Sequence, residues 1–257
     1  MKRFFAAILL LAALATPRPA GAGDMIHYTQ DSTRITGYLA LPKGAGTHAG
    51  VIVVHEWWGL SDWVKEQTDS LAKKGYVAFA TDLYRGQVAH DEATAHQLMS
   101  GLVEEDAIRL LRASTDFLRS RDDVRGHAIG TIGWCMGGKY AIRLAAADPG
   151  VRACVMYYGA PITDKAAIRG IQAAVLGNFG GQDKGPSPDQ VKAFGAALKE
   201  AGKRVNFKIY PRASHAFANE TNPWGSYREA DARDAWRRTL LFFDRELKKA
   251  SVPKSAR

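Results

Sequence analysis

Runs of apolar, often β-branched residues alternate with longer amphipathic stretches along most of this chain. Gly50-Val51-Ile52-Val53-Val54 has no polar position, the pattern of a strand covered on both faces. Tyr76–Thr81 and Val151–Tyr157 read as further buried strands, Ala128–Gly133 and Gln172–Asn178 as strands, and Arg204–Tyr210 as the last strand. Between them the apolar positions recur at helical spacing. One helix, capped by Ser61 and Asp62, runs to about Lys74 and ends at Gly75. Further helices are predicted over about Ala93–Ser120, Lys139–Ala147, Ser187–Ala201 and Arg228–Lys249. Met25–Gln30 and Ile35–Leu41 read as an edge hairpin joined around Asp31-Ser32. Strands alternating with helices of this length predict an α/β fold, a mostly parallel, doubly wound sheet flanked by helices. In such sheets ligands bind at the carboxyl ends of the strands. Glu56, Arg85, Cys135, Tyr158, Asp183 and His215 each fall just after a predicted strand.

The first residues break the alternation. Lys2 and Arg3 precede an apolar run from Phe4 to Ala15, then come Pro17, Pro19 and Ala20-Gly21-Ala22. A positive start, a short apolar stretch and an Ala-x-Ala site predict a secretory signal peptide over residues 1–22, cleaved after Ala22. The apolar run falls short of the roughly 20 residues that span a bilayer; the competing reading is an N-terminal anchor helix. The expectation is a periplasmic or secreted protein whose mature part, residues 23–257, is one domain without a membrane span. It is expected to be a monomer or a small homo-oligomer. The formal charge is +9, and three of the positive charges (Lys2, Arg3, Arg18) belong to the leader. The other basic residues are interleaved with Asp and Glu, with no block of five like charges, which argues against nucleic acid as a partner. The basic balance tilts the field towards anionic substrates or surfaces.

Two cysteines occur, Cys135 and Cys154. Two in a domain of this size make no disulfide framework, and there is no Cys-x-x-Cys or zinc spacing. The expectation is two free thiols, one reactive and one buried in a strand, and no metal. The reactive one is Cys135, in Gly133-Trp134-Cys135-Met136-Gly137-Gly138. A strand runs into this stretch and a helix of small residues leaves it, as a nucleophile elbow requires, with Cys where Ser usually stands. The other reading of the stretch is a glycine-rich turn with a buried Cys. A thiolate at a helix N-terminus is favoured by the dipole, and a nearby His completes its activation. Asp183 and His215 follow in the order nucleophile, acid, base, each after its own strand.

His55-Glu56-Trp57-Trp58-Gly59, Asp82-Leu83-Tyr84-Arg85-Gly86, the Cys135 elbow, Tyr157-Tyr158-Gly159 and His215-Ala216-Phe217 together resemble the dienelactone hydrolase family of the α/β-hydrolase superfamily. The likeness spans the mature domain almost end to end. It implies the α/β-hydrolase fold and cleavage of a small-molecule ester or lactone through an acyl-cysteine, with no cofactor. It further implies Cys135 as nucleophile, His215 as base and Asp183 as its partner. Glu56 resembles the family's carboxylate that helps control the thiol, and the backbone N–H groups of Met136 and Trp57 correspond to the oxyanion hole. Arg85 reads either as a grip for a substrate carboxylate or as a solvated loop residue. Trp57 and Trp58 read as a pocket wall or as core, and Tyr158 as site lining or as packing. The family members that take dienelactone carry a basic residue four positions after the catalytic His, where this chain has Asn219, and their other basic residue is shifted here to Arg85. Asn219–Tyr227 is a loop placed to cover the pocket. Two rival functions stand beside hydrolysis: a catalytically weak binding protein on a hydrolase scaffold, and a thiol redox role for Cys135 and Cys154.

Overall fold

The computed structural model describes residues 22–30 and 32–248. The predicted signal peptide, apart from Ala22, and the C-terminal tail lie outside the described residues. Eight strands form one sheet: β1 (Asp24–Gln30), β2 (Thr33–Ala40), β3 (His48–Val54), β4 (Tyr76–Thr81), β5 (Val124–Trp134), β6 (Val151–Tyr157), β7 (Ala174–Gly180) and β8 (Val205–Tyr210). Their spatial order is β1-β2-β4-β3-β5-β6-β7-β8. The hairpin β1–β2 and the β2–β4 pairing are antiparallel; β4 through β8 pair in parallel.

The uniformly apolar strands are covered on both faces because their side chains alternate between two cores. Ile52, Val54, Val77 and Phe79 point into one core, and Val51, Val53, Tyr76 and Ala78 into the other. The first core is closed by α3 (Glu104–Arg119), α4 (Met136–Ala147), α5 (Lys165–Gly170) and α6 (Pro188–Glu200), the second by α1 (Asp62–Lys73) and α7 (Glu229–Phe243). From β3 the chain moves outward to β4 and then crosses back to β5 on the other side of β3. That reversal opens a crevice beyond the ends of β3 and β5, the usual ligand position in such sheets.

Several elements differ from the sequence reading. The helix expected over Ala93–Ser120 is two, α2 (Glu92–Gly101) and α3, because Leu102 and Val103 are extended. Gly101 closes the first, and Glu104, Glu105 and Asp106 open the second, where acids favour a helix start. A short helix, α5, is capped by the Asp164 carboxylate accepting from Ala167 N–H at 2.7 Å. Strand β5 starts earlier than expected, and β7 ends two residues later, at Gly180. Helix α4 begins at Met136, directly after Cys135. Ser61 sits at the start of α1 without a capping hydrogen bond, whereas Ser187 and Gln190 form a complete capping box on α6. The last predicted helix ends as α7 at Phe243, followed by a π-helical turn, Asp244–Lys248. Among the described residues no helix is long and apolar enough to cross a membrane.

The end of β3 and the start of α4 pack closely at Gly137. A Cβ on Gly137 would run into the carbonyl of Val54 and stand 2.6 Å from that of His55. Gly137→Ala is therefore expected to cost about 2–3 kcal/mol in urea or guanidinium unfolding, an overpacking penalty. Gly101→Ala, with nothing within 4 Å of its added carbon, is expected to change stability by less than about 1 kcal/mol.

Candidate active site

Cys135 joins β5 to α4 with φ 53° and ψ −119°. A non-glycine residue there is strained, and such strain is kept only where surrounding structure enforces it. The enforcement is visible. Cys135 N–H donates to the Tyr157 carbonyl at 3.0 Å, and the Cys135 carbonyl accepts from Lys139 N–H at 3.2 Å. Gly133 lies directly against the Gly137 carbonyl, where no side chain fits. The turn lifts a half-buried Cys135 above the sheet edge.

Two strand-end loops bring Asp183 and His215 towards it. Gly181 N–H donates to the Tyr210 carbonyl and Gln182 N–H to the Ala213 carbonyl, both at 2.8 Å, which ties the loop after β7 to the loop after β8. His215 Nδ1 then stands 2.8 Å from Asp183 Oδ2, and Asp183 Oδ1 accepts from Gly185 N–H at 2.9 Å. With Nδ1 donating to the carboxylate, Nε2 is the ring nitrogen left for Cys135, which acts on the charge of His215. Burial alone would favour a neutral His215 ring, but the hydrogen bonds and charges of Asp183 and Cys135 outweigh it and push His215 up to about 10. At neutral pH the imidazolium is the favoured form.

Glu56 is buried beside this pair, 2% exposed. Asn219 Nδ2 donates to its Oε2 at 2.6 Å, and Tyr158 Oη to its Oε1 at 3.4 Å. Burial pushes Glu56 up to about 7, against the opposing pull of the Asn219 bond, the His215 charge and the Tyr158 bond. Tyr158 is wholly buried, with its ring centroid 5.1 Å from that of His215. Burial, then the charges of Glu56 and Cys135, push its phenol up, so it remains a donor. His55 fixes the backbone of this loop: Nδ1 donates to the Glu56 carbonyl at 2.6 Å, and Nε2 accepts from Leu83 N–H at 3.1 Å. Burial pushes His55 down, in keeping with this neutral, bridging form.

The remaining expected residues divide. Met136 is the first residue of α4, so its N–H is among those with no intrahelical carbonyl to meet. Trp57 lies in the turn closed by Gly59 N–H and the Glu56 carbonyl, so its backbone borders the same crevice. Trp57 and Trp58 pack edge to face at 5.1 Å, and Trp224 of the loop after His215 joins them at 5.7 and 6.4 Å. The Trp224 ring is also 6.2 Å from that of His215. The structure does not bring Arg85 to this group. The Asp82 carboxylate accepts from Tyr84 N–H at 2.9 Å and from Gly86 N–H at 2.5 Å, and this turn holds Arg85 at φ 54°. Its exposed side chain faces the cleft at the α2–α3 break, near Leu102 and Asp106.

Three contributors escaped the sequence reading: Asn219 as the donor to Glu56, Trp224 as a ring over His215, and His55 as the bracket behind Glu56. Only His55 carried a signal, its place in the His-Glu-Trp-Trp-Gly run. Both cysteines are free; Cys154 is buried in β6, and burial pushes its thiol up. Among the described residues no cluster of three or more His, Cys, Asp or Glu side chains is arranged to hold a metal.

Comparison with known proteins adds to this geometry. The model of the dienelactone hydrolase family matches residues 35–247. Protein usf of Aquifex pyrophilus is 34% identical over 230 residues, covering 86% of this chain and 97% of that protein. An Aquifex aeolicus protein with carboxymethylenebutenolidase in its name is 32% identical over 233 residues, covering 88% of this chain and 100% of that protein. A crystal structure from Klebsiella pneumoniae with dienelactone hydrolase in its name superposes with a TM-score of 0.79 at 28% identity, over 86% of this chain and 97% of that one.

The buried carboxylate sets a pH dependence. Glu56 binds its proton more tightly in the folded protein than at its ordinary value of 4.5. Its contribution to stability is therefore fully present below about 4.5 and fades as pH rises through about 7. The rate of Cys135 alkylation by iodoacetamide, followed by mass, is expected to show an inflection near pH 7. Glu56→Gln should abolish that inflection, and Asn219→Ala, which removes a bond that favours the carboxylate, should move it to higher pH.

Proposed function

This chain belongs to the dienelactone hydrolase family, and on that footing we propose that it is a carboxylic ester or lactone hydrolase working through an acyl-cysteine. The observation that carries the reading is the hydrogen-bonded pair Asp183–His215 in the electrostatic reach of Cys135, with Cys135 held on a strained elbow at a helix start. The Cys135 thiolate attacks the carbonyl carbon, and the carbonyl electrons move onto oxygen. Backbone N–H groups of Met136 and Trp57 receive that oxyanion. The C–O bond to the alcohol then breaks, and His215 Nε2 gives its proton to the departing alkoxide. The products of this half are a thioester on Cys135 and an alcohol, which in a lactone stays attached to the acyl group. Water attacks the thioester with His215 taking its proton, and Cys135 leaves as thiolate. Asp183 holds the ring and stabilises its charged form throughout. Glu56, fixed by Asn219 and Tyr158, adds a second titrating charge beside the pair.

We also propose, on the pattern of residues 1–22, that the protein is exported. The exported polypeptide is then expected to begin at Gly23 on N-terminal sequencing.

Short acyl p-nitrophenyl esters test the chemistry. Cys135→Ala is expected to lower kcat by at least about 1,000-fold, and Asp183→Asn by about 100-fold or more. Acid-quenched wild type should carry one acyl group on Cys135 by intact mass. Full activity in Cys135→Ala would overturn the assignment.

A further inference from the structure

Two aromatic side chains flank the His215 ring. The Tyr158 centroid lies 5.1 Å from it and the Trp224 centroid 6.2 Å from it. Tyr158 is wholly buried, whereas Trp224 is 44% exposed, so Tyr158 packs the inner side of the imidazole and Trp224 its outer side. The Trp224 ring also meets Trp57 at 5.7 Å and Trp58 at 6.4 Å. It therefore joins the loop after β8, which carries His215, to the turn after β3, which carries Trp57.

The indole is held at both ends. Its Nε1 donates to the Glu92 carboxylate at 2.5 Å, at the start of α2. Trp224 N–H donates to Asn222 Oδ1 at 2.9 Å, and Asn219 Oδ1 accepts from Thr221 N–H and Thr221 Oγ1, each at 2.8 Å. Arg228 N–H closes the loop on the Phe217 carbonyl at 2.9 Å. Asn side chains that bind the backbone two residues on hold a loop in defined turns. A large ring anchored through its nitrogen and through its backbone is a fixed wall.

In the reaction proposed above, a carbonyl attacked by Cys135 has its oxygen on the Trp57 side and its leaving group on the His215 side. Trp224 touches both residues, so it borders the space left for the bulk of the substrate. We infer that Trp224 is a specificity-determining residue that admits small esters and lactones to Cys135 and turns bulky ones away, with Glu92 as the positioning residue that holds its ring. This rests on the hydrolase reading for the identity of the substrate, but not for the shielding of the thiol. Discrimination of this kind comes from overlap with the wrong ligand rather than from attraction to the right one.

Iodoacetamide and N-(1-pyrenyl)iodoacetamide share one reacting group and differ in bulk, so their relative rates at Cys135, followed by peptide mass, test the shielding. Trp224→Ala is expected to raise the pyrenyl rate relative to the iodoacetamide rate by at least about tenfold. Glu92→Ala should move the ratio the same way by about threefold, and Glu92→Gln, whose amide oxygen still accepts from the indole, should keep the wild-type ratio. A stacking role for Trp224 has the opposite sign, because its loss would slow the pyrenyl reagent. Slowing, or an unchanged ratio, would overturn the inference. Cys154 is wholly buried, so pyrenyl label on it would mark a loosened fold in Trp224→Ala; the exposed change Glu92→Ala then decides. In turnover, Trp224→Ala should raise kcat/KM for 1-naphthyl acetate relative to phenyl acetate by at least about tenfold, and an unchanged ester ratio overturns the substrate role. Ester turnover with unchanged ratios leaves the hydrolase reading standing and removes this one. A shifted alkylation ratio in a protein that turns over neither ester does the reverse.

Discussion

Val54 and His55, at the end of β3, press their carbonyl oxygens onto Gly137, two residues past Cys135. Much of the site follows from that contact. It brings the start of α4 down onto the sheet, so the chain leaving β5 must turn within one residue, and that residue is Cys135. The same contact sets the distance between the turn carrying Glu56 and Trp57 and the helix start carrying Met136. The backbone N–H groups of Met136 and Trp57 can therefore border one crevice only while no side chain separates the two segments. Strain at Cys135 is the local cost of a geometry maintained by packing elsewhere.

The electrostatics of the site pull in opposite directions, and burial decides how each is resolved. His215 is driven towards its charged form by Asp183 and Cys135 despite burial, whereas Glu56 is driven towards its neutral form by burial despite three favourable partners. Buried imidazolium and a half-titrated carboxylate within one cluster allow the net charge next to Cys135 to change near neutrality without any movement of the chain. Asn219 fits this arrangement. A cation in its place would fix Glu56 as a carboxylate; a neutral amide leaves its protonation open.

Apolar runs disclosed β3, β4 and β6 because both faces of those strands are largely buried, and the neighbourhood of Cys135, Asp183 and His215 was legible because each follows the end of a strand. Boundaries were harder where sequence pattern and structure part company. The charged, helical spacing from Ala93 to Ser120 continues through Leu102 and Val103, so nothing in its period marks the break. Helix α5 is too short to show a period. The loop residues Asn219 and Trp224 act through the path of the loop, which no spacing encodes. Arg85 illustrates the converse: its neighbours suggested the site, but the backbone turn held by Asp82 sends its side chain elsewhere.

The bond between Asn219 and Glu56 joins residues 163 positions apart, and the one between Trp224 and Glu92 joins residues 132 apart. Both bonds come from the loop after β8, so the cover over Cys135 depends on the C-terminal part of the chain being joined to elements formed far earlier in the sequence. The burial that sets the charge of Glu56 therefore reports completion of the whole domain rather than formation of its core alone.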